Sequence, residues 1–155
     1  RNHYHMLLTT PEANLDKAMR YLQTMVSRHI GKETNRINHI FNGSYHRTII
    51  KNSLYYSHAY KYVYRNPVEA NLCSNVENYK YSTLLGVLGK KSLNFPVFDN
   101  HHLVSDGQRT LDWLNDKYPS DEFWQDIKRS LKHQEMTFCA NRKTQKISPL
   151  ASKKF

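Results

Sequence analysis

The chain has 155 residues and a formal net charge of +10, from 23 Lys and Arg against 13 Asp and Glu, which favours a polyanionic partner, nucleic acid before an anionic membrane surface. With 39% hydrophobic residues it is long enough to bury the core of about one domain, and no apolar run reaches transmembrane length or matches a secretion signal. Cys73 and Cys139 lie too far apart for a CxxC metal knuckle and are too few for a disulfide framework, so we expect the reducing cytoplasm.

A strand followed by a helix is predicted at the start of the chain. Residues 3–10 have the composition of a strand, and Asn14 is the expected N-cap of a helix over residues 15–30. Gly31 suits the C-terminal stop of this helix. The predicted apolar stripe consists of Leu15, Ala18, Met19, Leu22, Met25 and Val26.

The middle of the chain predicts a turn, a second strand and a tyrosine-rich helix. Asn42-Gly43 is a strong turn signal, and the β-branched residues within Tyr45–Lys51 favour a strand. Ser53 is the expected N-cap of the helix that follows. Because proline disfavours helical geometry at the residue before it, Pro67 predicts that this helix ends at Asn66.

The remaining residues predict two further helices beyond a glycine-containing loop at 86–92. Helical periodicity is present over residues 106–118 and again over 122–133. Residues 141–155 are basic and poor in large apolar groups, which predicts a frayed tail. The side chains expected to face inward are Leu111 and Leu114 in the first helix and Phe123, Ile127 and Leu131 in the second.

Two sets of polar side chains are spaced for metal chemistry. His3 and His5 share one face of the first predicted strand, and His58, Tyr62 and Asn66 recur every four residues on one helix face. Two imidazoles and an amide oxygen would leave coordination positions open and suit Mg²⁺ or Mn²⁺, with Zn²⁺ as an alternative. The ordinary alternatives are a polar strand face and a half-buried tyrosine-rich helix whose hydroxyls reach water.

Four motifs in order along the chain carry a resemblance to a known family. Asn-His-Tyr-His-Met-Leu-Leu at 2–8, with Thr-Pro-Glu at 10–12, resembles the HUH single-tyrosine transposases, closest to the REP-associated tyrosine transposases. Tyr-Val-Tyr-Arg-Asn-Pro-Val at 62–68 is similar to the tyrosine-helix motif of that family. Asn-Gly-Ser-Tyr at 42–45 and Tyr-Lys-Tyr-Ser-Thr at 79–83 match its hairpin and its aromatic-Ser-Ser/Thr element.

The resemblance implies an α+β fold, a ferredoxin-like antiparallel sheet with packed helices. In the family a strand, a helix and another strand precede the histidine motif, whereas here the motif follows Arg1 directly. We therefore expect either the later part of a longer reading frame or a sheet completed by another chain. The resemblance covers roughly residues 2–85, and the loop at 86–92 marks a soft boundary, so we expect a catalytic domain at residues 1–90 and an accessory helical region with a basic tail at 91–155.

The roles of the site residues follow from the same resemblance. His3 and His5 match the metal-binding histidines, Asn66 matches a third, amide ligand, and Tyr62 matches the nucleophile. The implied activity is that of a metal-dependent transposase, which cleaves and rejoins single-stranded DNA through a 5′-phosphotyrosine intermediate. His58, one turn before Tyr62, is a candidate for proton handling, with an ordinary surface histidine as the alternative.

Single-stranded or hairpin DNA is the implied partner, with no membrane partner, in a monomer or homodimer that acts in the cytoplasm at the nucleoid. One alternative is a truncated or domesticated relative that binds hairpin DNA without cutting, and another is a metal-dependent hydrolase that uses His3 and His5 with water. Binding that depends on phosphate contacts is expected to weaken steeply with salt. The cations expected to contact DNA are Arg20, Arg28, Lys32, Arg36, Arg47, Lys51, Lys61 and Arg65.

Overall fold

The computed structural model describes residues 3–35, 40–41, 43–99, 103–104, 106–138, 140 and 145–153. The predictions for Arg36, for Asn42 in the expected turn and for Cys139 fall outside these residues. The chain divides into two compact units, one that ends at Arg47 and one that begins at Thr48.

The expected ferredoxin-like antiparallel sheet is wrong, because the part of the chain that the structure describes is helical and contains no strand or sheet. Residues 3–10 have no regular secondary structure, and Tyr45–Lys51 contributes one isolated parallel bridge, from Ile49 to Glu135. Strand propensity mostly reflects packing against neighbours on a sheet, so a short run without paired strands beside it does not form one.

Helix α1, Leu15–Thr34, forms most of the first unit and extends beyond the end predicted from Gly31, which lies inside it. The helix ends at Asn35, whose φ of 52° is the left-handed conformation that asparagine tolerates better than most residues. Asn14 holds the N-cap position as predicted, but its side-chain amide donates to Glu12 Oε2 at 3.1 Å instead of capping the helix.

The apolar stripe predicted for α1 is only partly covered. Met19 is buried, while Leu22 and Met25 remain 37% and 45% exposed. The helix is therefore two-sided, as its periodicity predicts, but its apolar side is not fully packed against the described residues of its unit.

Helix α2 spans Ser53–Glu69, and its N-cap lies one residue before the predicted one. Asn52, not Ser53, is the N-cap, and its Oδ1 accepts hydrogen bonds from the amides of Leu54 at 2.8 Å and Tyr55 at 3.3 Å. Asparagine and serine are comparable N-caps, so the sequence alone does not choose between these two neighbours.

The predicted end of α2 at Asn66 is also wrong, because Pro67 lies within the last turn of the helix. The chain leaves the helix through a Schellman motif instead. Asn71, with φ of 56°, donates to the Val68 carbonyl at 2.9 Å, and Leu72 donates to the Pro67 carbonyl at 2.9 Å. Pro67 lacks a backbone N–H but keeps its carbonyl oxygen, so it can still accept one of the two hydrogen bonds that close this motif.

The second unit contains three further helices and two short 3₁₀ turns in addition to α2. They are the 3₁₀ turn Val76–Asn78, α3 at Leu84–Val87, α4 at Gly107–Asn115, α5 at Asp121–Ser130 and the 3₁₀ turn Pro149–Ala151. Helix α2 contacts α4, α5 and both 3₁₀ turns, so it is the central element of this unit.

The two helices predicted after the loop are confirmed as α4 and α5, although both end before the predicted residue. The expected inward positions Leu111, Leu114 and Ile127 are buried. The expectation of a frayed tail is wrong at Leu150, which is completely buried and belongs to the turn beside α2.

Candidate functional site

Tyr62 and Asn66 lie on consecutive turns of α2 and are joined by a side-chain hydrogen bond. Tyr62 is buried, with 8% of its surface exposed. The centroid of its ring lies 4.7 Å from the centroid of the Trp124 ring of α5. Burial raises the pKa of the Tyr62 phenol, and the hydrogen bond from Asn66 opposes this by favouring the phenolate. Tyr62 is therefore held in place as a neutral phenol that needs nearby positive charge before it can act as a nucleophile.

His58 lies one turn before Tyr62 and is buried, so the alternative of an ordinary surface histidine is wrong. Its Nε2 lies 3.1 Å from the Leu150 carbonyl oxygen, which can only accept, so the nitrogen donates this hydrogen bond. The ring packs edge-on against Phe138 at 5.7 Å. His58 thus connects α2 to the turn at Pro149–Ala151, a contact that fixes its tautomer at Nε2–H.

Lys61 is completely buried, although the sequence predicted a contact with DNA. Its ammonium nitrogen lies 4.8 Å from the centre of the Tyr118 ring and 5.6 Å from that of Trp113. These are cation–π distances, at which the ring faces favour the positive charge.

Arg65 is 1% exposed and is held by the end of α4. Its Nη1 donates to the carbonyl oxygens of Leu114, Asn115 and Asp116 at 3.1, 2.6 and 3.1 Å. Its Nε and Nη2 donate to Glu69 Oε1 at 3.1 and 2.6 Å. The guanidinium therefore satisfies carbonyls at the C-terminal end of α4, where the helix dipole also favours a cation.

His3 and His5 are brought together in the first unit, with ring centroids 5.1 Å apart in an edge-to-face arrangement. Desolvation of the ring, and then the neighbouring His3, lower the pKa of His5, although both histidines are exposed. A lowered pKa keeps the imidazole neutral, which is the form that binds a metal. The third predicted ligand, Asn66, belongs to the second unit together with Tyr62, whereas His3 and His5 belong to the first.

The donor set suits a divalent ion by its chemistry, since neutral imidazoles and an amide oxygen are all ligands for such ions. Within the described residues no group of three or more His, Cys, Asp or Glu side chains is placed to hold a metal. The predicted set of His3, His5 and Asn66 contains only two residues of those types, so the amide of Asn66 would have to complete it.

The remaining predicted DNA contacts are at the surface. Arg20, Arg28 and Lys32 are exposed on α1. Arg47 is paired with Asp16 at 3.3 Å, and Lys51 is paired with Glu135 at 2.6 Å. Both pairs are largely exposed, so they leave the cations accessible to solvent.

Trp124 is the residue that sequence reasoning missed at this site. The stripe predicted for α5 started at Phe123, which is only half-buried, whereas Trp124 is 7% exposed and covers Tyr62. The spacing of Trp124, Ile127 and Leu131 fits a helical stripe as well as the predicted one did, so the sequence contained the signal.

Comparisons of the chain with protein-family models, with curated proteins and with solved structures give no match. Among the helices that the structure describes, none is long and apolar enough to cross a membrane. The resemblance to the HUH single-tyrosine transposases therefore rests on the sequence motifs alone and remains a prediction.

Proposed function

We propose that this chain is a DNA strand transferase of the HUH single-tyrosine type, which cleaves and rejoins single-stranded DNA in the cytoplasm with Tyr62 as nucleophile. The observation that carries the proposal is the hydrogen-bonded pair of Tyr62 and Asn66 on consecutive turns of α2. The adjacent rings of His3 and His5 support it, because they supply the two imidazoles that the same chemistry needs.

The metal would be held by His3, His5 and the Asn66 amide oxygen. When bound, Mg²⁺ or Mn²⁺, with Zn²⁺ as the alternative, supplies polarisation of a phosphodiester oxygen. The Asn66 amide group has both an acceptor oxygen and a donor nitrogen, so one side chain can serve the ion and the Tyr62 hydroxyl together.

Tyr62 performs the covalent step. Its hydroxyl oxygen forms a bond to phosphorus while the bond from phosphorus to the 3′ oxygen breaks; the phenol proton is lost to water, and the leaving 3′ oxygen takes up a proton from water. The products are a 5′-phosphotyrosine and a free 3′-hydroxyl. Because the new ester conserves the energy of the broken one, a 3′-hydroxyl can reverse the step and rejoin strands.

The test uses a single-stranded oligonucleotide that contains a hairpin, incubated with Mn²⁺ and analysed for a covalent protein–DNA adduct by denaturing gel and mass spectrometry. We expect the adduct in the wild type and its loss in Tyr62→Phe. Tyr64→Phe is the matched control, since Tyr64 is also buried on α2 but its hydroxyl bonds to Thr83 Oγ1 at 3.0 Å. Loss of the adduct in both variants, or cleavage that survives Tyr62→Phe, would reject Tyr62 as the nucleophile.

A second function is hairpin-DNA binding without cleavage, and the burial of Tyr62 under Trp124 favours it. A phosphodiester has to reach the phenol oxygen before attack, and a covered phenol hinders that approach. The same assay separates the two functions, because binding that never yields an adduct supports the second one.

A further inference from the structure

One face of α1 presents two cations in its N-terminal half and two in its C-terminal half. Successive residues of a helix are rotated by about 100°, so Lys17, Arg20, Arg28 and Lys32 fall within a sector roughly 120° wide. Tyr21, which is 70% exposed, lies within the same sector. We call these five residues the basic face of α1, and all of them are exposed.

The apolar residues of α1 lie on the opposite side of the helix. Leu15, Met19, Leu22, Val26 and Ile30 are centred about 180° from the basic face by the same geometry. Met19 is buried, and three of the others are half-buried. The apolar side therefore faces the rest of its unit, which leaves the basic face pointing into solvent.

Within the described part of the chain the cations of the basic face have no close ion pair, although Arg20 lies near enough to Asp16 to help lower the pKa of that carboxyl. Ion pairs there include Arg47 with Asp16 and Lys51 with Glu135, but none to Lys17, Arg20, Arg28 or Lys32. The acidic residues of α1 are Asp16 and Glu33, and both lie outside the basic sector. Asp16 is already engaged by Tyr45 and Arg47.

We propose that the basic face of α1 binds the phosphates of a nucleic-acid duplex, namely the stem of a hairpin substrate. This inference rests on the proposed strand-transferase function, since that function supplies the hairpin. The cations from Lys17 to Lys32 span about 22 Å along the helix, a length over which a duplex presents roughly 13 phosphate charges. Cations spaced along one helix face over this length complement the repeated charge of the duplex backbone.

A single strand fits this face less well than a duplex does. Proteins that bind single strands combine a basic groove with several aromatic platforms on which successive bases stack. The basic face is the convex side of one helix and contains one aromatic residue, Tyr21. Its chemistry recognises phosphates and offers little to unpaired bases.

An anionic membrane surface also fits less well, although α1 is basic and amphipathic. A helix that lies in a membrane interface inserts its apolar face and holds its cations near the headgroups. In α1 the cations are centred opposite the apolar side, and Met19 on that side is already buried by protein. A membrane contact would leave the cations pointing away from the lipid.

The test measures binding of a fluorescent hairpin oligonucleotide by anisotropy over a series of KCl concentrations, with the full chain and with EDTA to prevent cleavage. Each phosphate contact contributes about 0.9 to the slope of log K against log salt. Replacing Lys17, Arg20, Arg28 and Lys32 together by glutamine should therefore lower the magnitude of this slope by about 3.6. Glutamine is a good helix former, so circular dichroism should show that α1 is retained.

The matched control replaces Lys90, Lys91, Lys132 and Lys153 by glutamine, because these four lysines are exposed in the second unit and carry the same total charge. We expect this control to change the slope by less than about 1. An equal decrease in both variants would overturn the proposal, since binding would then follow net charge alone.

Two further arms complete the test. The single-stranded extension without its stem should bind the wild type and the α1 variant equally; an equal loss of affinity for both DNAs would overturn the duplex assignment. Loss of binding to phosphatidylserine vesicles with unchanged hairpin binding would assign the face to membranes instead. The adduct assay is an independent measurement. If no adduct forms but the salt dependence of hairpin binding changes as expected, the strand-transfer function is rejected and duplex binding by the basic face of α1 is retained.

Discussion

Helix α1 carries four Lys and Arg residues and helix α2 carries two, and the two helices place them in opposite environments. Arg20, Arg28 and Lys32 of α1 are exposed, whereas Lys61 and Arg65 of α2 are completely or almost completely buried. The difference follows from the neighbours of each helix. Helix α2 is contacted by α4, α5 and two 3₁₀ turns, so its polar residues have to find partners inside the unit.

In these two helices the cations are exposed where the opposite side of the helix is apolar, and buried where packed elements contact the helix on several sides. In α1 the cations alternate with an apolar stripe at helical spacing, which turns them outward. In α2 Lys61 and Arg65 stand among tyrosines, which surround the helix with apolar rings. The residues around a cation in the helix therefore predict whether it is exposed or buried better than its charge does.

The largest expected effect that tests this comparison is on stability. Arg65→Ala should lower the free energy of unfolding by about 3–4 kcal/mol, because three carbonyls at the end of α4 and Glu69 lose a charged donor. Arg28→Ala, on the exposed face of α1, should change it by less than about 0.5 kcal/mol. Urea unfolding of both variants provides the measurement. Similar losses in the two variants would contradict the assignment of one buried and one solvent-exposed cation.

An intermediate effect is expected in alkaline solution, where buried tyrosines ionise. Burial raises the pKa of the Tyr118 phenol in the folded chain, against about 10 in the unfolded chain. Its contribution to stability is therefore fully present below pH ~10 and is lost as the pH rises toward the folded pKa, at about 1.4 kcal/mol per pH unit.

Tyr118→Phe should remove this part of the alkaline decrease and cost little at neutral pH, because the Tyr118 hydroxyl is buried without a hydrogen-bond partner among the described residues. Tyr21→Phe, on the basic face of α1, is the matched control and should leave the alkaline decrease as in the wild type. Unfolding in urea at several alkaline pH values measures both. An unchanged decrease in Tyr118→Phe would show that this phenol does not contribute to it.

Helix positions could be predicted from the sequence, because α1, α2, α4 and α5 all have apolar or aromatic residues at helical spacing. The sheet could not, since a strand needs a paired neighbour and residues 3–10 have none in the described structure. The pairing of Tyr62 with Asn66 follows from their spacing alone. The cover of Tyr62 by Trp124 and the capture of Arg65 by α4 arise from tertiary contacts between distant segments, which local patterns do not contain.

The smallest expected effect concerns the N-terminal caps, where α1 and α2 again differ. Asn52 Oδ1 accepts two amide hydrogen bonds from the first turn of α2, so Asn52→Ala should lower the free energy of unfolding by about 1 kcal/mol. Asn14 holds the same position at α1, but its side chain donates to the exposed Glu12 and leaves the helix amides to water. Asn14→Ala should therefore cost less than about 0.5 kcal/mol. Urea unfolding with both variants on the same day resolves this difference, and equal costs would mean that Asn14 caps α1 in solution.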